Sequence, residues 1–166
     1  MSGQGSKRVA VIAGDGIGPE VVESALEVLR AAGASLDLVH FEIGLGRWKR
    51  TGEAMDEDDL EEISGCDCIL LGAITTPPDP NYRSVLLRLR RALDLYANIR
   101  PFQSQDLDFI IVRENTEGLY SGVEEVGLEE SRTLRVITRR GSERIAEAAC
   151  DLTARRRRLT IIHKAN

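Results

Sequence analysis

The chain has 166 residues, 42% hydrophobic and 30% charged with only 4% aromatic, and a net charge of −5. This length holds one ordinary domain or parts of two, and with so few rings its cores must rest on Val, Ile, Leu and Ala. The acidic balance argues against a general nucleic-acid binder, and no apolar run approaches the roughly 18–20 residues a membrane span needs.

KRVAVIAG (7–14) is a compact apolar run ending in glycine, which predicts a buried strand. The run is also too short for a secretory leader. Over 19–33, Val22, Ala25, Leu26, Leu29 and Ala32 fall on one helical stripe, with Pro19 suited to the first turn and Gly33 to the stop. LDLVHFEIG (36–44) alternates as a strand does. DEDDLEEISG (56–65) is a short helix with its carboxylates at the favourable N-terminal end. CDCILLGAI (66–74) is a second buried strand, and SVLLRLRRALDLY (84–96) is helical. The alternation predicts a mostly parallel α/β sheet flanked by helices on both faces.

After NIRP (98–101) the texture changes, so the expected domain transition lies near residue 100. Residues 1–99 form the first part of one α/β domain and 100–166 the start of a second. LDFIIVREN (107–115) is a strand. Residues 118–141 are turn-rich, with a strand at Leu134 to Thr138. Residues 142–157 form a helix that Ser142 caps, and its late arginines suit a solvated helix end. LTIIHK (159–164) closes as a strand. Cys66, Cys68 and Cys150 make no disulfide framework and read as small buried hydrophobes in a reducing cytosol. Two histidines without paired spacing exclude a histidine-based metal site within the chain.

Several loops sit where chemistry is usual. GDGIGPE (14–20) feeds a helix N-terminus, a natural anion site, yet it lacks the third glycine of a dinucleotide fingerprint and carries an acid. GAITTPP (72–78) follows a buried strand, where α/β sheets bind ligands, and there Thr75 and Thr76 offer hydroxyls. Arg90, Arg100 and Arg113 come from three separated elements. Arg113 follows three apolar residues and so emerges from buried backbone, where an arginine needs an anion. The three either converge on a substrate with several carboxylates or form three separate ion pairs, and spacing does not decide. Tyr120 has a phenol able to donate a proton. Lys164, just past the last strand, is a general base if its pKa is lowered, or else a surface lysine.

Taken together, VAVIAGDGIGPEV, LDLYANIRP, FIIVRENTEGLYSG and IIHKAN, in this order and spacing, resemble the β-decarboxylating dehydrogenases of isocitrate, 3-isopropylmalate and homoisocitrate. The resemblance runs from Arg8 to Asn166 and implies the isopropylmalate-dehydrogenase-like fold, here truncated. It implies oxidation of a 2-hydroxy acid by NAD, or NADP, followed by loss of CO2, with Mg2+ or Mn2+ as Lewis acid. By matching position, Arg90, Arg100 and Arg113 bind the malate-type carboxylates and Tyr120 assists protonation after decarboxylation. Lys164 removes the hydroxyl proton in the neighbouring subunit's site. Thr75 and Asn166 lie against the cofactor.

Isocitrate-type members begin the Arg90 helix with a Ser and an Asn. Here Ser84 is present, but Leu86 stands at the Asn position and Leu87 follows. Two leucines resemble the isopropylmalate enzymes, since a carboxylate beside them would lose hydration without compensation. Homoisocitrate is the alternative, because Arg83 and Arg88 lie close. Family members run to about twice this length, and their metal-binding aspartates belong to the following half, so no metal ligand is expected in this chain. Alone it is expected to be inactive, as a fragment or as a remnant that keeps the fold without the chemistry. The intact protein is expected to be a cytoplasmic homodimer or homotetramer.

Overall fold

The computed structural model describes residues 6–153 and 158–163. The chain's contacts divide it into two compact units, Met1–Leu89 and Arg90–Asn166.

The first unit runs β1 (Lys7–Gly14), α1 (Gly18–Ala31), β2 (Leu36–Phe41), α2 (Leu45–Thr51), α3 (Glu57–Ser64), β3 (Cys68–Ala73) and the start of α4 (Val85–Ala92). Its three strands are all parallel in the order β2-β1-β3. The central strand is buried on both faces, as parallel sheets are, with Val9, Ala10, Val11 and Ile12 each 5% exposed or less. Val22 and Leu26 of α1 pack on Val9 and Val11, and Leu29, Leu36, Leu38 and Leu70 close round them. Pro19 sits in the first turn of α1, and Gly33, at φ +76°, turns the chain out of it. Asp56 caps α3 reciprocally with Asp59, a capping box with a shorter acid than usual.

The second unit is antiparallel. β4 (Ala97–Gln103) pairs with β5 (Asp108–Glu114), and β6 (Gly118–Val126) pairs with β7 (Ser131–Val136); α5 (Arg139–Thr153) follows. Thr138, not Ser142, caps α5, because its hydroxyl accepts from the Gly141 N–H at 2.9 Å. Ser142 lies inside the first turn and donates back to the Thr138 carbonyl. Residues 158–163 do not form the expected strand, since a strand needs a ladder and they pair with none among the described residues. Cys66 is half-buried while Cys68 and Cys150 are exposed, so the cysteines are less buried than expected.

Candidate functional site

The ladder of β4 and β5 sorts the second unit's side chains by face. Asn98 pairs with Arg113 and Arg100 with Ile111, and opposed residues share a face while neighbours alternate. One face therefore carries Asn98, Arg100 and Phe102 with Phe109, Ile111 and Arg113. Phe102 and Phe109 stack there at 5.0 Å, and Arg100 Nε donates to Asn98 Oδ1 at 2.8 Å. The opposite face carries Glu114, which α5 covers through Arg144.

Tyr120, early in β6, joins two of the arginines. The Arg113 guanidinium donates to the Tyr120 hydroxyl and stands 4.7 Å from the ring centroid. Arg90, from α4, stands over the same ring at 5.9 Å. Burial lowers the Arg90 pKa from its ordinary value, and the charges of Arg113 and Arg100 push it further down. Arg90, Arg100 and Arg113 form no ion pair among the described residues. Three mutually repelling guanidiniums with no acid paired to them among the described residues are an arrangement that can hold an anion. Arg113 and Arg100 are exposed and Arg90 is half-buried. Arg113 thus emerges from a less buried strand than expected, because β5 has a single strand neighbour among the described residues.

The support for this cluster was not legible in the sequence. Arg91 donates to the Tyr120 carbonyl at 3.1 Å and to the Ser121 carbonyl, fixing the start of β6. Gly122, at φ +58°, makes room for it: a Cβ there would stand 2.6 Å from Arg91 Nη2. Glu114 gathers the RENTEG turn, accepting from the Thr116 hydroxyl and the N–H groups of Thr116 and Glu117. Arg144 holds Glu114, pairs with Asp94 and stacks on Tyr96 at 4.4 Å. Glu117 accepts from the Thr138 N–H and hydroxyl. The polar turn after β5 is therefore braced at both ends.

In α4, Leu86 and Leu87 lie four and three residues before Arg90, so the three share a helical face. Val85 and Leu89 form the buried side. Leu86 and Leu87 are half-buried. Ser84 caps the helix weakly, its hydroxyl 3.5 Å from the Leu87 N–H. Arg88 is engaged by the Met55 carbonyl and Glu57. Arg83 is exposed and has no such partner among the described residues. Thr75 is exposed just beyond β3, at the carboxyl end of the parallel strands, and its N–H donates to Asp15 at 3.0 Å. Lys164 and Asn166 lie outside the described residues. Among the described residues, no group of three or more His, Cys, Asp or Glu side chains is placed to hold a metal ion, so these residues do not fit a divalent ion by themselves.

The isocitrate/isopropylmalate dehydrogenase family model matches residues 8–166. An isocitrate/homoisocitrate dehydrogenase from Pyrococcus horikoshii is 48% identical, covering 96% of this chain and 47% of that protein. A 3-isopropylmalate dehydrogenase from Methanothermobacter thermautotrophicus is 42% identical, over 97% of this chain and 51% of its own length. Among solved structures, an isocitrate dehydrogenase from Methylococcus capsulatus superposes with a TM-score of 0.83 at 36% identity, over 92% of this chain and 49% of that one. A β-decarboxylating dehydrogenase from Thermococcus kodakarensis does so at 0.73 and 45%, over 90% and 46%. The chain spans about half the length of the relatives it matches.

Proposed function

Because the chain belongs to the isocitrate/isopropylmalate dehydrogenase family, we propose that the protein carrying it oxidatively decarboxylates 3-isopropylmalate to 2-oxoisocaproate. The observation that carries the substrate class is the trio Arg90, Arg100 and Arg113: Arg90 and Arg113 meet over Tyr120, the charge of Arg100 is felt at Arg90, and no acid among the described residues pairs with them. A malate-type dicarboxylate supplies the missing charge, and planar guanidiniums bind carboxylates in pairs of hydrogen bonds. Leu86 and Leu87, on the helical face of Arg90, favour an isopropyl group over a third carboxylate.

The dinucleotide, NAD or NADP, supplies the hydride acceptor, and its place is the Thr75 loop, beyond the carboxyl ends of the parallel strands. The arginines hold the acid so that its hydroxyl-bearing carbon can lose hydride. Lys164, acting in a neighbouring subunit's site, takes the hydroxyl proton, and Asn166 lies beside the nicotinamide. The resulting β-keto acid releases CO2 and leaves an enolate, to whose carbon Tyr120 gives a proton. The Tyr120 oxygen accepts from Arg113, and its own O–H has no acceptor among the described residues, so that proton is available. Mg2+ or Mn2+ is expected for such chemistry, with ligands other than the residues described here. The same reading makes the protein a cytoplasmic homodimer or homotetramer; no described helix is long and apolar enough to cross a membrane.

A second reading, homoisocitrate or isocitrate as substrate, is favoured by the Pyrococcus relative and by Arg83, which has no ion pair among the described residues. Arg88 is a weaker candidate for the distal carboxylate, since Glu57 already engages it. Steady-state rates of the relative-length protein with all three acids separate the readings. A kcat/KM for isocitrate or homoisocitrate tenfold above that for isopropylmalate sinks the first. Leu86→Asn should lower kcat/KM for isopropylmalate by about tenfold, the lower end of what one methylene is worth in an apolar pocket.

A further inference from the structure

Asp15 lies in the glycine loop between β1 and α1, and its surroundings are those of a bound anion. One carboxylate oxygen accepts from the Leu45 N–H at 3.0 Å and from the Thr75 N–H at 3.0 Å. The other accepts from the Gly46 N–H at 3.1 Å. Its own N–H donates to the Ala73 carbonyl at 2.6 Å. The donors belong to two further loops at the same end of the sheet: Leu45 and Gly46 open α2, and Thr75 follows β3.

Glycines shape the space. Gly14, at φ +77°, and Gly18 pass so close to the backbone of Ala13 and Ala73 that neither position has room for a Cβ. Gly44 sits at φ +133°, and a Cβ there would stand 2.7 Å from the Asp15 carboxylate. The first N–H groups of a helix have no partner within it, and a carboxylate satisfies them with charge-assisted bonds. The loop whose acid argues against a phosphate cradle thus directs that carboxylate onto α2. The clamp extends further, for Trp48 of α2 meets the Tyr82 ring edge-on at 5.5 Å, just ahead of α4. The Tyr82 hydroxyl is buried without a partner among the described residues. Burial raises its pKa, and the Asp15 charge raises it further.

We propose that Asp15 is a positioning residue, whose carboxylate ties the β1–α1, β2–α2 and post-β3 loops together and so sets the Thr75 backbone against the dinucleotide. The proposal rests on the dehydrogenase reading and adds a residue that does not itself touch cofactor. It follows that Asp15 governs dinucleotide affinity while leaving the arginine cluster alone. An asparagine keeps one acceptor oxygen but turns an N–H2 toward a backbone N–H, so at least one of the three bonds fails.

The test is Asp15→Asn in the relative-length protein, with dinucleotide binding followed by NADH fluorescence titration and loop order by amide hydrogen exchange. The expected result is dinucleotide Kd and KM raised about tenfold, the loss of one charge-assisted hydrogen bond. The KM for the hydroxy acid stays within about twofold, and exchange accelerates at Leu45, Gly46 and Thr75. Unchanged dinucleotide affinity in Asp15→Asn, with the wild type binding normally, overturns the proposal alone. A parallel rise in both KM values also overturns it, since Asp15 would then serve only the fold. A wild-type protein that binds no dinucleotide overturns the dehydrogenase reading instead, and this proposal with it. Should Asp15→Asn fail to fold, Gly44→Ala pushes the carboxylate off its donors and is held to the same split.

Discussion

On the proposed reading, Arg113 and Tyr120 act together in the protonation step at the residue scale. The guanidinium donates to the phenol oxygen and covers its ring, which stabilises negative charge on that oxygen once the proton leaves. Tyr120→Phe should therefore lower kcat by about 10²-fold, the lower end of what a positioned proton donor contributes. The KM for the acid should stay within about threefold, because the arginines remain. A large rise in KM with kcat unchanged would assign Tyr120 to binding instead. Glu114 acts on stability rather than chemistry. Burial pushes its carboxyl up, but bonds from the Thr116 hydroxyl, the Glu117 and Thr116 N–H groups and Arg144 hold it below the usual carboxylate range. A depressed folded value means that its stabilisation is complete above the unfolded value, about 4.3, and is lost as pH falls through the folded one. The urea midpoint followed at β5 amides should drop between about pH 5 and pH 3. Glu114→Gln should start lower at pH 7 and show a shallower drop. Equal slopes for the two proteins would show that Glu114 does not carry the acid sensitivity.

At the scale of elements, Thr138→Ala tests the cap that opens α5. It removes the hydroxyl that accepts from Gly141 and donates to Glu117, and should cost about 1 kcal/mol, read from urea unfolding. Ser142→Ala should cost less, because Ser142 only returns a bond to the preceding turn; a larger loss there would restore Ser142 as the cap. β1 and α1 were legible because a continuous apolar run marks the one, a helical stripe marks the other, and a glycine closes each; β3 is less buried than CDCILLGAI suggests, half-buried to exposed throughout, because among the described residues it pairs on one side only. α2 was not legible, since LGRWKRT has no apolar stripe and its first turn is capped from a distance by Asp15. β4 was hidden by its polar residues and by Pro101, tolerable because β5 is its sole strand partner among the described residues. Residues 159–163 misled in the opposite direction: strand-like residues form no strand without a neighbouring edge, and among the described residues they have none. Residue type and spacing alone left the site residues undecided, and the motif resemblance is what singled them out. Nothing in the spacing said that Arg90 and Arg113 meet over Tyr120, or that Arg91 and Glu114 brace them.

Across the whole molecule, burial is distributed unequally. Every fully buried hydrophobic residue among those described belongs to the first unit, from Val9 to Leu89. The second unit instead exposes Ile99, Phe102, Phe109, Ile111 and Leu134, each 40% or more. Apolar burial is the main term that offsets chain entropy, so the two units should differ in stability although both have regular hydrogen bonding. Hydrogen exchange of this chain under rising urea should show β4 to β7 losing protection first, while β1, α1 and β3 persist. The midpoints should be separated by at least about 1 M urea, because the surface that opens in each step scales with its buried area. Leu26→Ala, which empties part of the α1–β1 contact, should cost about 2–5 kcal/mol and bring the late transition down toward the early one. A single transition shared by all amides would mean that the second unit draws its stability from something other than its own apolar burial.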